Sequence, residues 1–292
     1  MDQYKKSEDL EIYETDYHSN TELQKACSIR QPILFDFISI CPEVYEELHP
    51  DRIRNAISHT EVTVKDTDDY WIPNQKSVDS VTLSYASFDH LAKTDTNAHF
   101  FTENNSDIIN DTAEIYKEIQ RVDPFLKPHF VVQTKYDILS GSNNCTTPFR
   151  YHTNERAFYT VVSGSVTVQL TPWRSRKLLE EKRDYNNYEF WSPVKPKTID
   201  AIPILTCIVP VGKILYIPPY WWHSFQFSKD TILFSINYNS LANIASNIPA
   251  ICRYYLQFHN TNKKILPTIS PSSNETDEEI DKLEESNKKI NE

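Results

Sequence analysis

The stretch that decides the fold is Pro210-Val-Gly-Lys-Ile-Leu-Tyr-Ile-Pro-Pro-Tyr-Trp-Trp-His223-Ser-Phe-Gln-Phe227. Its segment Ile214 to Ile217 predicts a strand, because β-branched and aromatic side chains pack well on a pleated surface. Pro218 and Pro219 then end that strand, since neither residue can donate a backbone N–H. A second strand is predicted from Phe225 to Asn237. The rigid corner between the two strands is expected to place the imidazole of His223 in the mouth of a small barrel.

The segment from Tyr159 to Leu170 contains the clearest turn ahead of that stretch. Two β-branched runs are joined there through Ser163-Gly164-Ser165, which predicts a β-hairpin. Leu205 to Val209 predicts another strand that leads into the proline corner. These runs together favour a β-rich core in the second half of the chain.

The stretch from Gly212 to Phe227 resembles the second metal-histidine motif of the JmjC and cupin-like Fe(II)/2-oxoglutarate oxygenases. The shared features are a turn glycine, a Leu-Tyr-Ile-Pro strand end, Trp-Trp-His, and a later strand that ends near an asparagine. The resemblance implies a mainly β fold with flanking helices, in which a double-stranded β-helix (jelly-roll) barrel follows an N-terminal α/β lead-in and precedes a C-terminal helix. The insertion Lys177 to Pro193 and the glycine-poor composition further resemble the divergent members found in large DNA viruses.

Composition and patterning divide the 292 residues into five segments. They are a mobile N-terminal arm (1–28), the α/β lead-in of the JmjC-like domain (29–135), the β-barrel core (136–240), a C-terminal helical segment (241–265) and a disordered acidic tail (266–292). The arm and the tail are too polar to bury the apolar surface that ordering requires. Apolar residues at helical spacing after position 247 predict a helix that packs on the barrel or on a second copy of the chain.

The net charge of −11 argues against nucleic-acid binding, because that affinity comes mostly from Lys and Arg neutralising phosphates. A basic protein or peptide partner is compatible with this charge. The five scattered cysteines predict reduced thiols in an intracellular, cytoplasmic protein, in the host cell if the chain is viral. No signal peptide is predicted, and prolines interrupt the longest apolar region (201–222), so no membrane association is expected.

The resembled class holds Fe(II) with two histidines and one carboxylate on one face. A strand can supply two of these ligands only at i and i+2, because alternate side chains share a face. His223 fits the ligand that comes from a distant strand. The other half of the site falls in Thr147-Pro-Phe-Arg-Tyr-His-Thr-Asn-Glu155. In one register His152 and Asn154 form the pair, so that an amide replaces the carboxylate.

In the other register Arg150 stands for the first histidine and His152 for the acid. Both registers lack the anionic ligand that Fe(II) prefers, which predicts a degenerate metal site. Glu155 would restore the negative charge only through a bulge, because a regular strand points it away from the face of His152. In either register Arg150, His152 and Asn154 share one strand face, which is expected to line the barrel interior.

The 2-oxoglutarate site implied by the resemblance is also incomplete. Ser165 occupies the place of the basic residue that pairs with the cosubstrate carboxylate. Asn237 matches an asparagine at the end of the later strand, and Thr147 and Tyr159 could donate hydrogen bonds. Arg150 could supply the missing positive charge, since a guanidinium binds a carboxylate through a bidentate fork.

The resemblance, together with these residues, implies one of two functions. The favoured one is an Fe(II)- and 2-oxoglutarate-dependent oxygenase that hydroxylates or demethylates a protein side chain. Its metal ligands are His152, His223 and either Asn154 or Glu155. The alternative is a catalytically inactive cupin-like module that serves for binding or structure. Any metal chemistry requires the rings of His152 and His223 to lie within reach of one ion.

Overall fold

The computed structural model describes residues 9–72, 77–185, 187–196 and 201–258. Within these ranges the chain forms fourteen strands in three sheets and eight α-helices, which confirms the predicted mainly β fold with flanking helices. The predicted acidic tail (266–292) and the end of the predicted helical segment beyond 258 lie outside the described residues.

The strands, in chain order, are β1 (Tyr13–Glu14), β2 (Ile33–Asp36), β3 (Glu61–Asp66), β4 (Val81–Ser84), β5 (Phe100–Thr102), β6 (Val131–Gly141), β7 (Arg156–Ser163), β8 (Ser165–Thr171), β9 (Lys182–Asp184), β10 (Glu189–Trp191), β11 (Leu205–Pro210), β12 (Lys213–Ile217), β13 (Trp222–Phe227) and β14 (Ile232–Ser240). The helices are α1 (Asn20–Cys27), α2 (Pro42–Glu47), α3 (Pro50–Ile57), α4 (Tyr85–Thr94), α5 (Ser106–Asp111), α6 (Ala113–Gln120), α7 (Asp123–Leu126) and α8 (Leu241–Phe258).

Two sheets enclose one apolar core. The larger sheet has the order β1-β2-β12-β7-β14-β6-β5-β3-β4, and the smaller has the order β11-β8-β13. Leu215 and Ile217 of β12 point into the core between the sheets, while Ile214 and Tyr216 pack on the other side with residues of the flanking helices. Because both faces of β12 are buried, its sequence is a continuous apolar run rather than an alternating one.

The hairpin predicted between Tyr159 and Leu170 is wrong. β7 and β8 form at the predicted positions, but β7 pairs with β12 and β14, whereas β8 pairs with β11 and β13. Gly164 between them has a φ of 69°, a conformation that glycine adopts without strain. The turn at Gly164 therefore carries the chain from one sheet to the other.

The single strand predicted from Phe225 to Asn237 is also two strands in different sheets. β13 ends at Phe227 and β14 begins at Ile232, and Asp230 in the connection has a φ of 56°. Lys229 of this connection lies against Gly164, so the two crossings between the sheets are neighbours. A run of β-branched residues therefore predicts strands, but it does not show where the chain turns from one sheet to the other.

Residues 9–28, predicted as part of a mobile arm, are structured. β1 pairs in parallel with β2, and Leu23 and Cys27 of α1 are buried in the core beside the helices. Ser19 caps α1 by accepting a hydrogen bond from the N–H of Glu22. The buried residues are few and stand among acidic ones, so composition alone conceals their packing.

The proline corner fixes the segment 150–152 against the start of β13. The N–H of Tyr220, which has a φ of 65°, donates to the carbonyl of His152 at 3.0 Å. Arg150 and His223 exchange two backbone hydrogen bonds, of 3.0 and 2.8 Å. The side chains of Arg150 and His223 therefore leave the same face of this small ladder.

Candidate functional site

A cavity of about 990 Å³ opens beside this corner. It is lined by charged side chains (Lys65, Glu103, Lys135, Asp137, Arg150 and Glu189), by His152 and His223, by asparagines of β14 and α8, and by aromatic rings that include Tyr159 and Trp191. The volume lies within the range of pockets that bind small molecules.

His152 and His223 lie together at this cavity, with ring centroids 5.7 Å apart. His223 is buried. His152 is half-buried, and both of its ring nitrogens are shielded from solvent and lack a hydrogen-bond partner among the described residues. Burial lowers the pKa of His152 to about 4, and backbone groups at Ile217 and Asn154 oppose this shift without reaching hydrogen-bond geometry. His152 is therefore neutral at pH 7.

The tautomer of His223 follows from its hydrogen bond. Its Nδ1 lies 3.2 Å from the carbonyl oxygen of Trp221. Because a carbonyl only accepts, Nδ1 carries the proton and Nε2 has the lone pair. Burial, followed by the influence of His152 and Arg150, holds the pKa of His223 well below its ordinary value. His223 thus presents a neutral acceptor nitrogen.

Arg150 lies directly opposite His223 and belongs to a buried ionic cluster. Nη1 of its guanidinium forms an ion pair with Glu103. Glu103 also accepts a hydrogen bond from Lys65 at 3.2 Å, and Lys65 forms a further ion pair with Glu189. Two cations and two carboxylates therefore alternate along one wall of the cavity, and their formal charges cancel.

Charge pairing outweighs burial in this cluster. Burial acts to raise the pKa of Glu103, but Arg150 and Lys65 hold it below its ordinary value. Burial likewise acts to lower the pKa of Lys65, but Glu103 and Glu189 raise it. Both side chains therefore stay charged at neutral pH. Tyr70 completes the cluster by donating a hydrogen bond to Glu189 at 3.2 Å.

Side-chain amides form a continuous hydrogen-bonded ladder on another wall. Asn154 donates to Asn237 at 3.0 Å and accepts from Asn239 at 3.1 Å. Asn243 donates to Asn239 at 2.8 Å, and Asn247 donates to Asn243 at 3.4 Å. The ladder ties the segment after His152 to β14 and α8. The amide of Asn154 is consequently held by protein partners.

Glu155 and Thr147 are not among the residues that line the cavity. The carboxylate of Glu155 accepts a hydrogen bond from the backbone N–H of Ser240 at 3.1 Å. The hydroxyl of Thr147 is buried and accepts a hydrogen bond from the backbone N–H of Phe225 at 2.9 Å. Both side chains thus hold strands in place. The other predicted site residues all line the cavity: Arg150, His152, Asn154, Tyr159, His223 and Asn237.

The residues around the two histidines do not fit an Fe(II) site of two histidines and one carboxylate. Among the described residues, no group of three His, Cys, Asp or Glu ligands within 4.8 Å of one another includes His152 or His223. The carboxylate of Glu103 is already paired with two cations. The ionised group opposite His223 is the guanidinium of Arg150, which repels a metal cation.

A separate group, formed by Asp66, Asp68 and His99, could hold a metal ion. Nε2 of His99 lies 3.5 Å from the carboxylate of Asp68. These side chains are half-buried or exposed and lie outside the lining of the cavity. The three positions were not predicted from the sequence, because one His and two Asp at these spacings match no ligand motif.

Lys65, Glu103 and Glu189 were not predicted from the sequence either, although they form the charged wall. Lys65 lies 38 positions from Glu103 and 124 positions from Glu189, so no local pattern joins them. One local sign exists. Lys65 is buried directly after the buried Val64, which breaks the alternation of a strand with one solvated face.

No protein-family model and no curated protein matches the chain. In the described part of the chain, no helix combines the length and the apolar character that a membrane crossing requires. The function must therefore be inferred from the geometry of the cavity.

Proposed function

We propose that the chain folds as a double-stranded β-helix of the JmjC and cupin-like class. The order β12-β7-β14-β6 inside the larger sheet and the order β11-β8-β13 support this assignment. The segment 144–150 runs along the outer edge of β13, since the N–H groups of Asn144 and Thr147 donate to Phe227 and Phe225. With this segment included, two four-stranded layers face each other across the core, as in a jelly roll.

Within this fold, the chain acts as a metal-independent binding module rather than as an oxygenase. The observation that carries this proposal is the ion pair of Arg150 with Glu103, directly opposite His223. A cation stands opposite one of the two imidazoles, where it would repel a metal ion, and it brings its own buried counter-ion. The cavity thus keeps its volume and polar lining but lacks the donor set for Fe(II).

The acidic character of the chain bears on the partner. A net charge of −11 attracts basic surfaces at long range and repels acidic ones. A basic protein or peptide is therefore the partner proposed for the outer surface, with the cavity reserved for a small ligand.

The second candidate is the Fe(II)- and 2-oxoglutarate-dependent oxygenase expected from the resemblance. The observation that favours it is the convergence of two neutral imidazoles, 5.7 Å apart, with unpartnered nitrogens on His152. A metal ion bound about 2.1 Å from one nitrogen of each ring suits this separation. The anionic donor would then have to come from the ligand, because the protein supplies none there.

Anaerobic titration with Fe(II), followed by an assay for succinate formed from 2-oxoglutarate, separates the two candidates. We expect neither stoichiometric iron uptake nor succinate above the level of a protein-free control. Uptake of one ion per chain with succinate release, lost in His223→Ala and retained in the exposed control His129→Ala, would reject the binding module. Iron uptake that Asp68→Asn abolishes and His223→Ala preserves would instead locate the ion at the Asp66 group.

A further inference from the structure

We propose that the cavity binds a small organic acid through a metal-free carboxylate site centred on Arg150. This inference rests on the proposed binding function and names the ligand class that the function would serve. It starts from the hydrogen-bond donors that the protein leaves unpaired around Arg150.

The guanidinium of Arg150 is held in one orientation. Its Nη1 pairs with Glu103, and the ring of Phe101 lies 5.5 Å from the guanidinium carbon. Lys65 in turn fixes Glu103, with a hydrogen bond of 3.2 Å. Nη2 of Arg150, in contrast, is buried and has no hydrogen-bond partner among the described residues. A charged donor left buried and unpaired is unfavourable, so this atom needs an acceptor that the protein does not provide.

A second unpaired donor lies beside it. Arg150 forms another isolated bridge with Trp191, so the two side chains leave the same face. Trp191 is almost fully buried, and its Nε1 also lacks a hydrogen-bond partner in the described part of the chain. The ring of Tyr159 lines the same cavity, 5.9 Å from the ring of His223, and its hydroxyl adds a donor.

The balance of donors and acceptors selects the ligand. Arg150 and Trp191 can only donate, and neutral His152 offers one N–H and one acceptor. The ligand must therefore supply mainly acceptors. Two oxygens in a plane match a guanidinium, and a carboxylate carries a single charge into a cluster whose own charges cancel. A metal cation, in contrast, would be repelled by the guanidinium of Arg150.

The source of the carboxylate is a small molecule rather than an acidic protein. A chain with a net charge of −11 repels an acidic macromolecule before contact. The cavity of about 990 Å³ is large enough to hold an organic acid of several carbons.

Calorimetric titration with succinate in metal-free buffer tests this site, with succinamide as the neutral analogue of the same shape. We expect succinate to bind and succinamide to bind at least tenfold more weakly, on the order of one charge-assisted hydrogen bond. Arg150→Gln should weaken succinate binding roughly tenfold to hundredfold. Arg174→Gln, which removes an exposed arginine outside the cavity, should leave the affinity unchanged.

Trp191→Phe is the second variant, because it removes one N–H without removing a charge. We expect it to weaken succinate binding by roughly twofold to tenfold, so the test stands even if Arg150→Gln fails to fold. Equal affinity for succinate and succinamide, or full affinity in both variants, would overturn the carboxylate site while leaving a binding cavity. If neither succinate nor succinamide binds, the carboxylate site is likewise overturned. That result alone would give no support to iron chemistry. Binding of succinate only after Fe(II) is added would overturn both the site and the proposed function.

Discussion

Replacing Asp137 by Asn should change how stability depends on pH, because this cavity-lining carboxyl is buried. Asp137 is 7% exposed and accepts hydrogen bonds from the backbone N–H groups of Asn104 at 2.9 Å and Asn105 at 2.6 Å. Burial raises its pKa from 3.8 to about 6, and Glu103 acts in the same direction. Lys135 and the two backbone N–H groups oppose the shift without cancelling it.

The magnitude follows from the difference between the two states. Unfolded, Asp137 loses its proton near pH 3.8, whereas in the folded chain it keeps the proton up to about pH 6. The folded state thus binds more protons in this window, and the stability of the wild type falls as the pH rises through it. At about 1.4 kcal/mol per pH unit, the fall amounts to about 3 kcal/mol. Asn does not titrate, so the variant lacks this fall.

A second effect of the substitution does not depend on pH. One amide oxygen cannot replace two carboxylate oxygens as acceptors for Asn104 and Asn105, which should destabilise the variant by about 1–3 kcal/mol at every pH. We therefore expect the variant to be less stable than the wild type at the acidic end. By neutral pH it should have recovered about 3 kcal/mol relative to the wild type.

Guanidinium chloride unfolding at intervals from about pH 3.5 to about pH 7.5 measures both free energies. The matched control is Asp16→Asn, which replaces an exposed carboxylate instead of a buried one. A difference between wild type and Asp137→Asn that stays constant across the range would refute the argument from burial.

Three further outcomes are expected. His152→Gln should show the opposite trend. Burial lowers the pKa of His152 from 6.5 to about 4. Between these two pH values the unfolded wild type therefore binds more protons than the folded wild type. The wild type should therefore lose about 3 kcal/mol relative to the variant as the pH falls through this window, by the same unfolding assay. Gly212→Ala should lower the free energy of unfolding by roughly 1–3 kcal/mol, because Gly212 has a φ of 91° and a methyl group would meet a neighbouring side chain at 2.9 Å. An unchanged thermal midpoint would contradict this. Leu241, Ile248 and Tyr255 are exposed apolar residues that recur along one face of α8, so light scattering should find a homodimer that Ile248→Glu converts to monomers; a monomeric wild type would exclude it.

Local features of the sequence predicted the strands better than their pairing. β12 ends at Ile217, as expected from the prolines that follow it, although β13 begins at Trp222 rather than at Phe225. A proline restricts the backbone of its immediate neighbours, so its effect can be predicted from the sequence alone. The sheet that a strand joins depends instead on the path of the chain after a turn. The turn at Gly164 has the composition of a hairpin, yet it carries the chain between the two sheets.

The candidate site was predictable where it depends on strand periodicity. Arg150, His152 and Asn154 alternate along one extended segment, and all three line the cavity. The charged wall has no such periodicity. Lys65 comes from β3 and Glu189 from β10, and only the fold brings the two side chains into contact. Sequence therefore predicted the polar pocket but not the charges that determine its chemistry.

The choice between the two proposed functions depends on Arg150, through its contact with Glu103, a residue outside the motif of Arg150. Both registers of the segment 150–154 place His152 near His223. The positions of the two imidazoles therefore do not decide between the registers. The guanidinium of Arg150 is tolerated opposite His223 because Glu103, 47 positions away, supplies its counter-ion. Removing the guanidinium alone would leave Glu103 buried with Lys65 as its remaining cation, and would still provide no carboxylate beside the histidines. The misfit to Fe(II) that underlies the proposed function is therefore a property of this buried ionic cluster as a whole. The proposed carboxylate ligand is the one that would suit the donor of Arg150 that the cluster leaves unpaired among the described residues.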